Sequence, residues 1–307
     1  MSGEAIKNVG VIGAGRMGQP IIGHLARKGF SVRVHDIDAG KRGAAEERGG
    51  KWLADAATLA RECEAILICV GYDRELRELL SEKGILKHVP RDAIIAVLST
   101  VHPDTVRELA GRARKRGVHV VDATMCRGAW AADEGTLLSF IAGPADIVDR
   151  LRPVLSAFSS DIVPTGDIGS AQVAKAANNM VMWACLVANH EGLVLAHRYG
   201  LDVEAMRKAL LTTHAANAGL ENWGKNSMAW ADDDMEIVHA MAKEKGLPLR
   251  QAEVVQEICR WLKPVRFQLD KFGTREKPQK SLTAKTRRSP RKRKALPPRT
   301  PRPRRDR

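Results

Sequence analysis

Short apolar runs alternate with helically patterned segments along residues 8–160. Apolar runs of this length are typical of strands buried on both faces, whereas the segments between them repeat apolar residues at helical spacing. Strands that alternate with helices predict a doubly wound, mainly parallel sheet covered by helices on both faces. The predicted strands are Val9–Ile12, Ser31–His35, Ala65–Val70, Ala93–Leu98, Val118–Val121 and Leu137–Ala142, and the predicted helices include Gln19–Lys28, Glu75–Leu80 and Pro103–Arg116.

The pattern changes after Gly169, where strand-like runs give way to long stretches with helical periodicity. The first of these stretches, 170–199, corresponds to about 45 Å of helix at ~1.5 Å per residue. A helix of this length favours a bridge between domains or a subunit interface. We therefore place a domain boundary near Thr165–Gly169, with an α/β domain over 1–166 and an all-α domain for substrate binding and dimerisation over 167–268. The stretches with helical periodicity are 170–199, 203–218, 232–246 and 250–262.

The net charge of +14 lies in the C-terminal segment and not in the predicted domains. Residues 271–307 contain 16 of the 50 Lys and Arg residues and two of the 36 acidic ones, which leaves 34 of each sign in residues 1–270. This balance excludes a generally basic, nucleic-acid-binding fold. The segment 271–307 is rich in Arg and Pro with few apolar residues, which predicts disorder. Two interpretations stay open: it binds polyanions such as nucleic acid through counterion release, or it is an extension without function.

Cysteine and histidine spacing argues against metal and disulfide sites. The five cysteines form no C-x-x-C pair, which suits a reducing compartment, and the histidines show no metal-ligand spacing, so we predict no metal. The N-terminus lacks a signal-peptide pattern, and the longest apolar stretch, Met180–Ala188, is far shorter than the roughly 20 residues of a membrane span. We expect a cytoplasmic protein without a membrane partner.

A G-x-G-x-x-G turn, Gly13-Ala-Gly15-Arg-Met-Gly18, follows the first predicted strand and precedes the first predicted helix. These glycines permit a tight turn, a close approach to a pyrophosphate, and close packing of helix on sheet, which are the requirements of a Rossmann dinucleotide-binding domain. Asp36 ends the second strand 18 residues after Gly18, where a carboxylate accepts hydrogen bonds from a ribose and repels a 2′-phosphate. The predicted cofactor is therefore NAD, with NADP less favoured.

In four segments the sequence resembles the β-hydroxyacid dehydrogenase family, which contains 3-hydroxyisobutyrate dehydrogenase and tartronate semialdehyde reductase. The resemblance extends from about residue 7 to residue 265, and its most specific segment is close to the family pattern G-x-x-G-x-x-x-x-x-K-x-x-N-N. The four segments are Gly13-Ala-Gly-Arg-Met-Gly18; Ser99-Thr-Val-His-Pro103; Asp122-Ala-Thr-Met-Cys-Arg-Gly128 with Glu134-Gly-Thr-Leu137; and Gly166-Asp-Ile-Gly-Ser-Ala-Gln-Val-Ala-Lys-Ala-Ala-Asn-Asn179.

The resemblance implies a role for each matched position. It implies that Lys175 is the general acid–base and that Asn179 holds the substrate; independently, their four-residue spacing puts both on one helix face. The resemblance also implies that the loop of Cys126, Arg127 and Gly128 binds the substrate carboxylate. The predicted cofactor-binding residues are Gly13, Ala14, Gly15, Arg16, Met17, Gly18, Asp36, Val70 and Thr100, the last beside the nicotinamide.

The sequence departs from the family pattern at two places. Cys126-Arg127 stands where the family has Ser-Gly, so a weaker donor replaces a hydroxyl and Arg127 becomes a candidate clamp for a larger or different acid. The alternative is that Arg127 points to solvent and Cys126 merely packs. Asp233-Asp234 stands where the family opens a helix with a Lys-Asp pair, which removes a cofactor contact. Trp183, in the helical region, is either core or a wall of the pocket.

We therefore expect an NAD-dependent oxidoreductase that transfers hydride between the cofactor and a small 3-hydroxy acid or its semialdehyde. The length of helix 170–199 favours a homodimer or homotetramer. The alternative is a non-catalytic dinucleotide-binding protein whose basic tail binds nucleic acid. An imine reductase is disfavoured, because those relatives replace the lysine that stands here as Lys175.

Overall fold

A computed structural model describes residues 5–71, 73–225 and 228–271, and its first half is built on one eight-stranded sheet. The spatial order is β3-β2-β1-β4-β5-β6-β7-β8, and all neighbouring strands are parallel except β6 and β7. The predicted doubly wound, mainly parallel α/β fold is thereby confirmed. The strands are β1 Asn8–Ile12, β2 Ser31–His35, β3 Lys51–Trp52, β4 Ala65–Ile68, β5 Ile94–Val97, β6 His119–Cys126, β7 Leu137–Ala142 and β8 Ser159–Gly166.

Hydrophobic cores lie on both faces of this sheet. Strands β4 and β5 are buried at every position, as expected of central strands covered on both faces. The sequence prediction missed β3, which is only two residues long, and β8, which is largely exposed and contains Asp161 and Pro164. Both are edge strands, and edge strands carry the weakest apolar pattern because only part of their surface is buried.

Helices cover the sheet and then form the second half of the chain. The helices are α1 Gly18–Arg27, α2 Arg42–Glu47, α3 Ala56–Glu62, α4 Asp73–Leu79, α5 Pro103–Arg114, α6 Gly128–Glu134, α7 Ala145–Leu155, α8 Ser170–Arg198, α9 Val203–Leu210, α10 Ala218–Glu221, α11 Ala231–Glu244 and α12 Arg250–Leu262. The long helix α8 packs against β6, β7 and β8 and also against α9, α10, α11 and α12, so it joins the sheet to the helical half.

The predicted helix 203–218 is wrong as a single helix. Helix α9 ends at Leu210, after which the hydroxyls of Thr212 and Thr213 donate hydrogen bonds back to carbonyls three residues earlier. Side chains that bond to nearby backbone compete with the helical ladder. The chain resumes as α10, whose N-cap Asn217 accepts a hydrogen bond from the Leu220 N–H.

A separate apolar core lies within the helical half, between α8, α11 and α12. Among the residues that the structure describes, none of the helices combines the length and the apolar character that crossing a membrane requires. The prediction of a disordered tail concerns residues that, apart from Lys271, lie outside the described part of the chain.

Candidate functional site

The glycine turn between β1 and α1 has no room for side chains at two of its three glycines. Gly13 has φ +100°, and a Cβ there would lie 2.3 Å from the Cys69 carbonyl oxygen. A Cβ on Gly18 would lie 1.9 Å from the Gly13 carbonyl oxygen. Over Gly15, in contrast, no atom lies within 4 Å of such a Cβ, so the turn leaves open space beside the N-terminus of α1. This geometry fits a pyrophosphate held by backbone N–H groups.

Asp36 follows the end of β2 and is almost fully buried beside the glycine turn. Its Oδ2 accepts the Ala14 N–H at 2.7 Å and pairs with Lys41 Nζ at 3.0 Å, while Oδ1 accepts the Asp38 N–H at 2.9 Å. Burial opposes ionisation of this carboxyl, but the backbone donors of Asp38 and Ala14, together with Lys41, hold the pKa of Asp36 below its usual value. A fixed negative charge therefore lies where the ribose of a dinucleotide belongs.

The loop after β5 lies at the same carboxyl edge of the sheet as the glycine turn. The buried Ser99 donates its hydroxyl proton to the Val70 carbonyl at 2.7 Å, so two predicted cofactor-binding segments are joined. Thr100 is partly exposed, between Ser99 and the fully buried Val101. Because strand order reverses between β1 and β4, this edge forms the crevice in which doubly wound folds bind ligands.

The start of α8 is fixed by a carboxylate from the sheet. The fully buried Asp122 on β6 accepts the Gly169 N–H at 2.9 Å and the Gln172 N–H at 3.1 Å. These donors belong to the first turn of α8 and have no intrahelical partner. Burial raises the pKa of Asp122, although the two N–H groups partly oppose that shift.

One turn further along α8, Lys175 and Asn179 face a group of polar side chains between the two halves of the chain. Lys175 is partly buried, and its charge acts on both the Cys126 thiol and the Asp234 carboxyl. Asn179 is 1% exposed, and its Nδ2 has no hydrogen-bond partner within the described residues. Its Oδ1 accepts the Asn178 Nδ2–H at 3.2 Å, so the Nδ2 donor is the part of this buried amide available to a ligand or to the nearby Asp234 carboxyl.

Asp234, on α11, belongs to the same group of polar side chains as Lys175 and Asn179. Its Oδ2 accepts the Trp183 Nε1–H at 3.0 Å, so the tryptophan that the sequence left open as core or pocket wall is both buried and bonded to the site. Burial is the largest effect on the Asp234 carboxyl and raises its pKa. The charge of Lys175, the Trp183 indole and the Asn179 amide partly oppose this shift. Burial likewise raises the pKa of the Cys126 thiol, against the charges of Lys175 and Arg127.

Two protein families match this chain over most of its length. Residues 8–166 match the family described as the NAD binding domain of 6-phosphogluconate dehydrogenase, and residues 169–268 match the NAD-binding family of NADP-dependent 3-hydroxyisobutyrate dehydrogenase. The chain belongs to the β-hydroxyacid dehydrogenase family.

Individual relatives agree with this membership. A 3-hydroxyisobutyrate dehydrogenase of Pseudomonas aeruginosa is 28% identical over 257 residues, which cover 81% of this chain and 86% of that protein. An NAD-dependent L-serine dehydrogenase of the same bacterium is 25% identical over 256 residues, covering 81% and 86%. The fold matches a structure of Mycobacterium tuberculosis 3-hydroxyisobutyrate dehydrogenase with L-serine at TM-score 0.77 and 20% identity, covering 85% of this chain and 95% of that one. The protein is a hydroxyacid dehydrogenase-like oxidoreductase that uses a nicotinamide dinucleotide.

Against the family pattern, the loop after β6 has an unusual backbone. Arg127 has φ +81°, a left-handed conformation that favours glycine, and the following Gly128 also has φ +81°. The Arg127 guanidinium donates to the Thr136 carbonyl at 3.0 Å and to Ser160 Oγ at 2.8 Å, and it pairs with Asp161 at 2.7 Å. These contacts direct it to β7 and β8, and they support neither a carboxylate clamp nor a side chain free in solvent. The neighbouring Cys126, by contrast, is 5% exposed.

The glycine turn is tied to α6 by a second arginine. Arg16 donates to Asp133 at 2.8 Å and to the Ala129 carbonyl at 3.3 Å. This hydrogen-bonded pair raises the pKa of Arg16 and lowers that of Asp133. The predicted cofactor turn is thus in direct contact with the helix that follows the predicted substrate loop.

Sequence reasoning missed Gln172, which is fully buried and bonded to the loop that carries Thr100. The available signal was its spacing, because positions 172, 175 or 176, 179 and 183 share one helix face. Asp233-Asp234 was singled out as a reversed charge, but the sequence did not indicate that Asp234 is the member that contacts Trp183.

Ligand atoms of His102, Asp104 and Glu244 lie within 4.8 Å of one another in the described part of the chain. Arg107 pairs with Asp104 and Lys245 pairs with Glu244, so both carboxylates already have cationic partners. We assign no metal to this cluster.

Proposed function

We propose that the protein catalyses NAD-dependent oxidation of a small 3-hydroxy acid, or reduction of its semialdehyde, with Lys175 as the general acid–base. One observation carries the proposal: Lys175 and Asn179 lie on one face of α8, and the charge of Lys175 acts on Cys126 from the sheet half and on Asp234 from the helical half. A lysine next to an amide nitrogen that is free to donate suits an alcohol oxygen that must be both held and deprotonated.

The bound nicotinamide supplies the hydride acceptor, and the chain supplies the proton chemistry. In oxidation, the Lys175 amine takes the hydroxyl proton; in reduction, its ammonium returns a proton to the same oxygen. The Asn179 Nδ2–H donates to that oxygen and orients it, and the loop of Cys126 and Gly128 binds the substrate carboxylate. Asp234 accepts a hydrogen bond from Trp183, and the charge of Lys175 acts on its carboxyl, so Asp234 is the proposed partner that orients the lysine.

The test is turnover of a panel of 3-hydroxy acids with NAD, beginning with 3-hydroxyisobutyrate and L-serine, which are named for relatives. Lys175→Met is expected to lower kcat by about 10²- to 10⁴-fold, the usual contribution of a general acid–base, while NADH still binds. Lys208→Met, at an exposed lysine of α9, is the matched control and is expected to keep full turnover. Unchanged kcat in Lys175→Met contradicts the role, and NADH binding without turnover of any acid favours the non-catalytic alternative.

NAD is the proposed cofactor rather than NADP. The support is the ionised Asp36 beside the ribose position, because a carboxylate there repels a 2′-phosphate. Lys41 is already paired with that carboxylate. The ratio of kcat/KM for NAD to that for NADP is expected to exceed one in the wild type and to fall in Asp36→Asn. A wild type that prefers NADP contradicts the assignment.

A homodimer, or a tetramer built from it, is the proposed assembly. The long helix α8 exposes large apolar side chains, among them Val181 at 58% and Leu195 at 61%. These side chains, on a helix of 29 residues, support an interface with a second copy of the chain. Sedimentation velocity is expected to give at least twice the 33.6 kDa chain mass, and a monomer at all concentrations contradicts the proposal.

A further inference from the structure

A glutamine on α8 links the helix of Lys175 to the loop of Thr100. Gln172 is fully buried, and its side-chain amide forms hydrogen bonds at both ends. Its Oε1 accepts the Val101 N–H at 3.0 Å, and its Nε2 donates to the Ser99 carbonyl at 3.0 Å. The two partners fix the orientation of the amide, since only the oxygen can accept and only the nitrogen can donate.

These two hydrogen bonds flank Thr100 on both sides. Gln172 thus bonds to the residues before and after Thr100 but leaves Thr100 itself partly exposed. Ser99 is further held by its hydroxyl bond to the Val70 carbonyl. The backbone at Thr100 is therefore fixed from the helix on one side and from the sheet on the other.

The same glutamine is also part of the helix start. Its own N–H donates to Asp122, and Lys175 follows three residues later, about 4.5 Å along the helix axis. A shift of Gln172 relative to Ser99 and Val101 would therefore change the separation between Lys175 and Thr100. Small displacements of groups around a reacting centre have large effects on rate.

We propose that Gln172 is a positioning residue that holds Thr100 against the nicotinamide at a fixed offset from Lys175. This inference rests on the proposed function for the placement of the nicotinamide. It predicts that Gln172 affects the nicotinamide end of the cofactor and not the adenosine end, because its contacts are with the loop after β5 and not with Asp36 or the glycine turn.

The test compares NADH with ADP-ribose, which lacks the nicotinamide, by titration calorimetry on the full chain. Gln172→Met keeps side-chain length but removes both hydrogen bonds. It is expected to weaken NADH by about tenfold, an effect of the size that one or two lost hydrogen bonds produce, and to leave ADP-ribose within about twofold. It is also expected to lower kcat and to raise the primary deuterium isotope effect on kcat, since hydride transfer becomes rate-limiting.

Thr124→Val is the matched control, because the buried Thr124 hydroxyl donates to the Ala171 carbonyl at 3.0 Å, at the same end of α8, and not to the Ser99 or Val101 backbone that Gln172 bonds. Its ratio of NADH to ADP-ribose affinity is expected to stay at the wild-type value. If Gln172→Met does not fold, Gln172→Asn serves, since its shorter amide cannot span both partners. Equal weakening of both probes, or no weakening of either, overturns the inference.

The two proposals fail separately. A wild-type protein that binds NADH but oxidises no hydroxy acid contradicts the proposed function, while the comparison of NADH with ADP-ribose still tests Gln172. A wild type that binds ADP-ribose but gains nothing from the nicotinamide of NADH contradicts the positioning role.

Discussion

At the residue scale, the loop after β6 separates two tasks that adjoin in the sequence. A left-handed conformation costs an ordinary residue about 1–2 kcal/mol, and Arg127 adopts one at φ +81°. Its hydrogen bonds to Thr136 and Ser160 and its ion pair with Asp161 offset that strain and fix the turn. The arginine therefore shapes the loop, whereas its buried neighbour Cys126 is the residue proposed to bind the substrate carboxylate.

A thiol is a poorer hydrogen-bond donor than a hydroxyl, so Cys126→Ser is expected to bind a carboxylate more tightly. The expected change is a KM for the hydroxy acid lower by about twofold to tenfold, the range of one neutral hydrogen bond. Steady-state kinetics at saturating NAD measure it. Cys185→Ser, at a partly exposed position of α8, is the control and should leave KM unchanged. An unaltered KM in Cys126→Ser would place the substrate carboxylate elsewhere.

The raised pKa of Asp234 makes a prediction about pH and stability. A carboxyl with a folded-state pKa above its unfolded value of about 3.9 contributes stability that is fully present below the unfolded pKa and lost as pH rises through the folded pKa. Asp234→Asn does not titrate, so its melting temperature should rise relative to wild type as the pH increases from the unfolded-state pKa through the folded-state pKa, while turnover falls. Thermal melts across that range measure it.

Asp133 gives a control of opposite sign, because Arg16 lowers its pKa. Its stabilising contribution is present above the unfolded pKa and lost as pH falls through the folded pKa. Asp133→Asn should therefore melt below wild type at pH 8, with a gap that narrows toward acid pH. A gap between wild type and Asp234→Asn that does not change with pH would show that the Asp234 carboxyl does not carry the predicted shift.

At the element scale, the position of the site depends on how α8 begins. Helix α8 lacks a local side-chain cap, since Gly169 occupies its N-cap with φ +94°. The cap comes instead from Asp122, 47 residues earlier on β6. A helix whose first turn is anchored to the sheet keeps Lys175, in its second turn, at a fixed distance from the crevice.

Removing this remote cap tests its contribution. Asp122→Ala leaves the Gly169 and Gln172 N–H groups buried without a partner, and we expect the free energy of unfolding to fall by about 1–3 kcal/mol, with a loss of kcat. Urea denaturation and turnover measure the two effects. Asp202→Ala removes the cap of α9, which carries no predicted site residue, and should cost about 1 kcal/mol without loss of kcat. A normal urea midpoint in Asp122→Ala contradicts the capping role.

The sequence could predict elements whose pattern is local and strong, and it failed where structure depends on distant partners. Strands β2 and β7 were predicted at their observed bounds, because apolar residues recur at every second position of β2 and at most positions of β7. The edge strand β8 was missed because its pairing with β7, and not its own composition, makes it a strand. The role of Asp122 in capping α8 was equally invisible, since it joins residues that are distant in the chain.

At the scale of the whole molecule, the proposed site draws on both halves of the chain. The glycine turn, Asp36 and the loop after β5 come from the sheet half, whereas Lys175, Asn179 and Asp234 come from the helical half. Beyond α8, a contact of 3.5 Å between His102 and Glu244 crosses between α5 and α11. The charges of residues 1–270 balance, so long-range attraction to polyanions is not expected of this part.

The excess charge of residues 271–307 should therefore act independently of the enzyme. We compare the full chain with a chain ending at residue 270. Both are expected to share one melting temperature and one kcat, but only the full chain should bind duplex DNA, with an affinity that falls about a thousandfold between 50 and 200 mM salt if about six phosphates are contacted. Fluorescence anisotropy across this salt range measures the binding. DNA binding by the shortened chain would contradict the charge balance of residues 1–270. No binding by either chain would favour an extension without function, because 16 basic residues would then fail to produce even the nonspecific attraction that counterion release supplies.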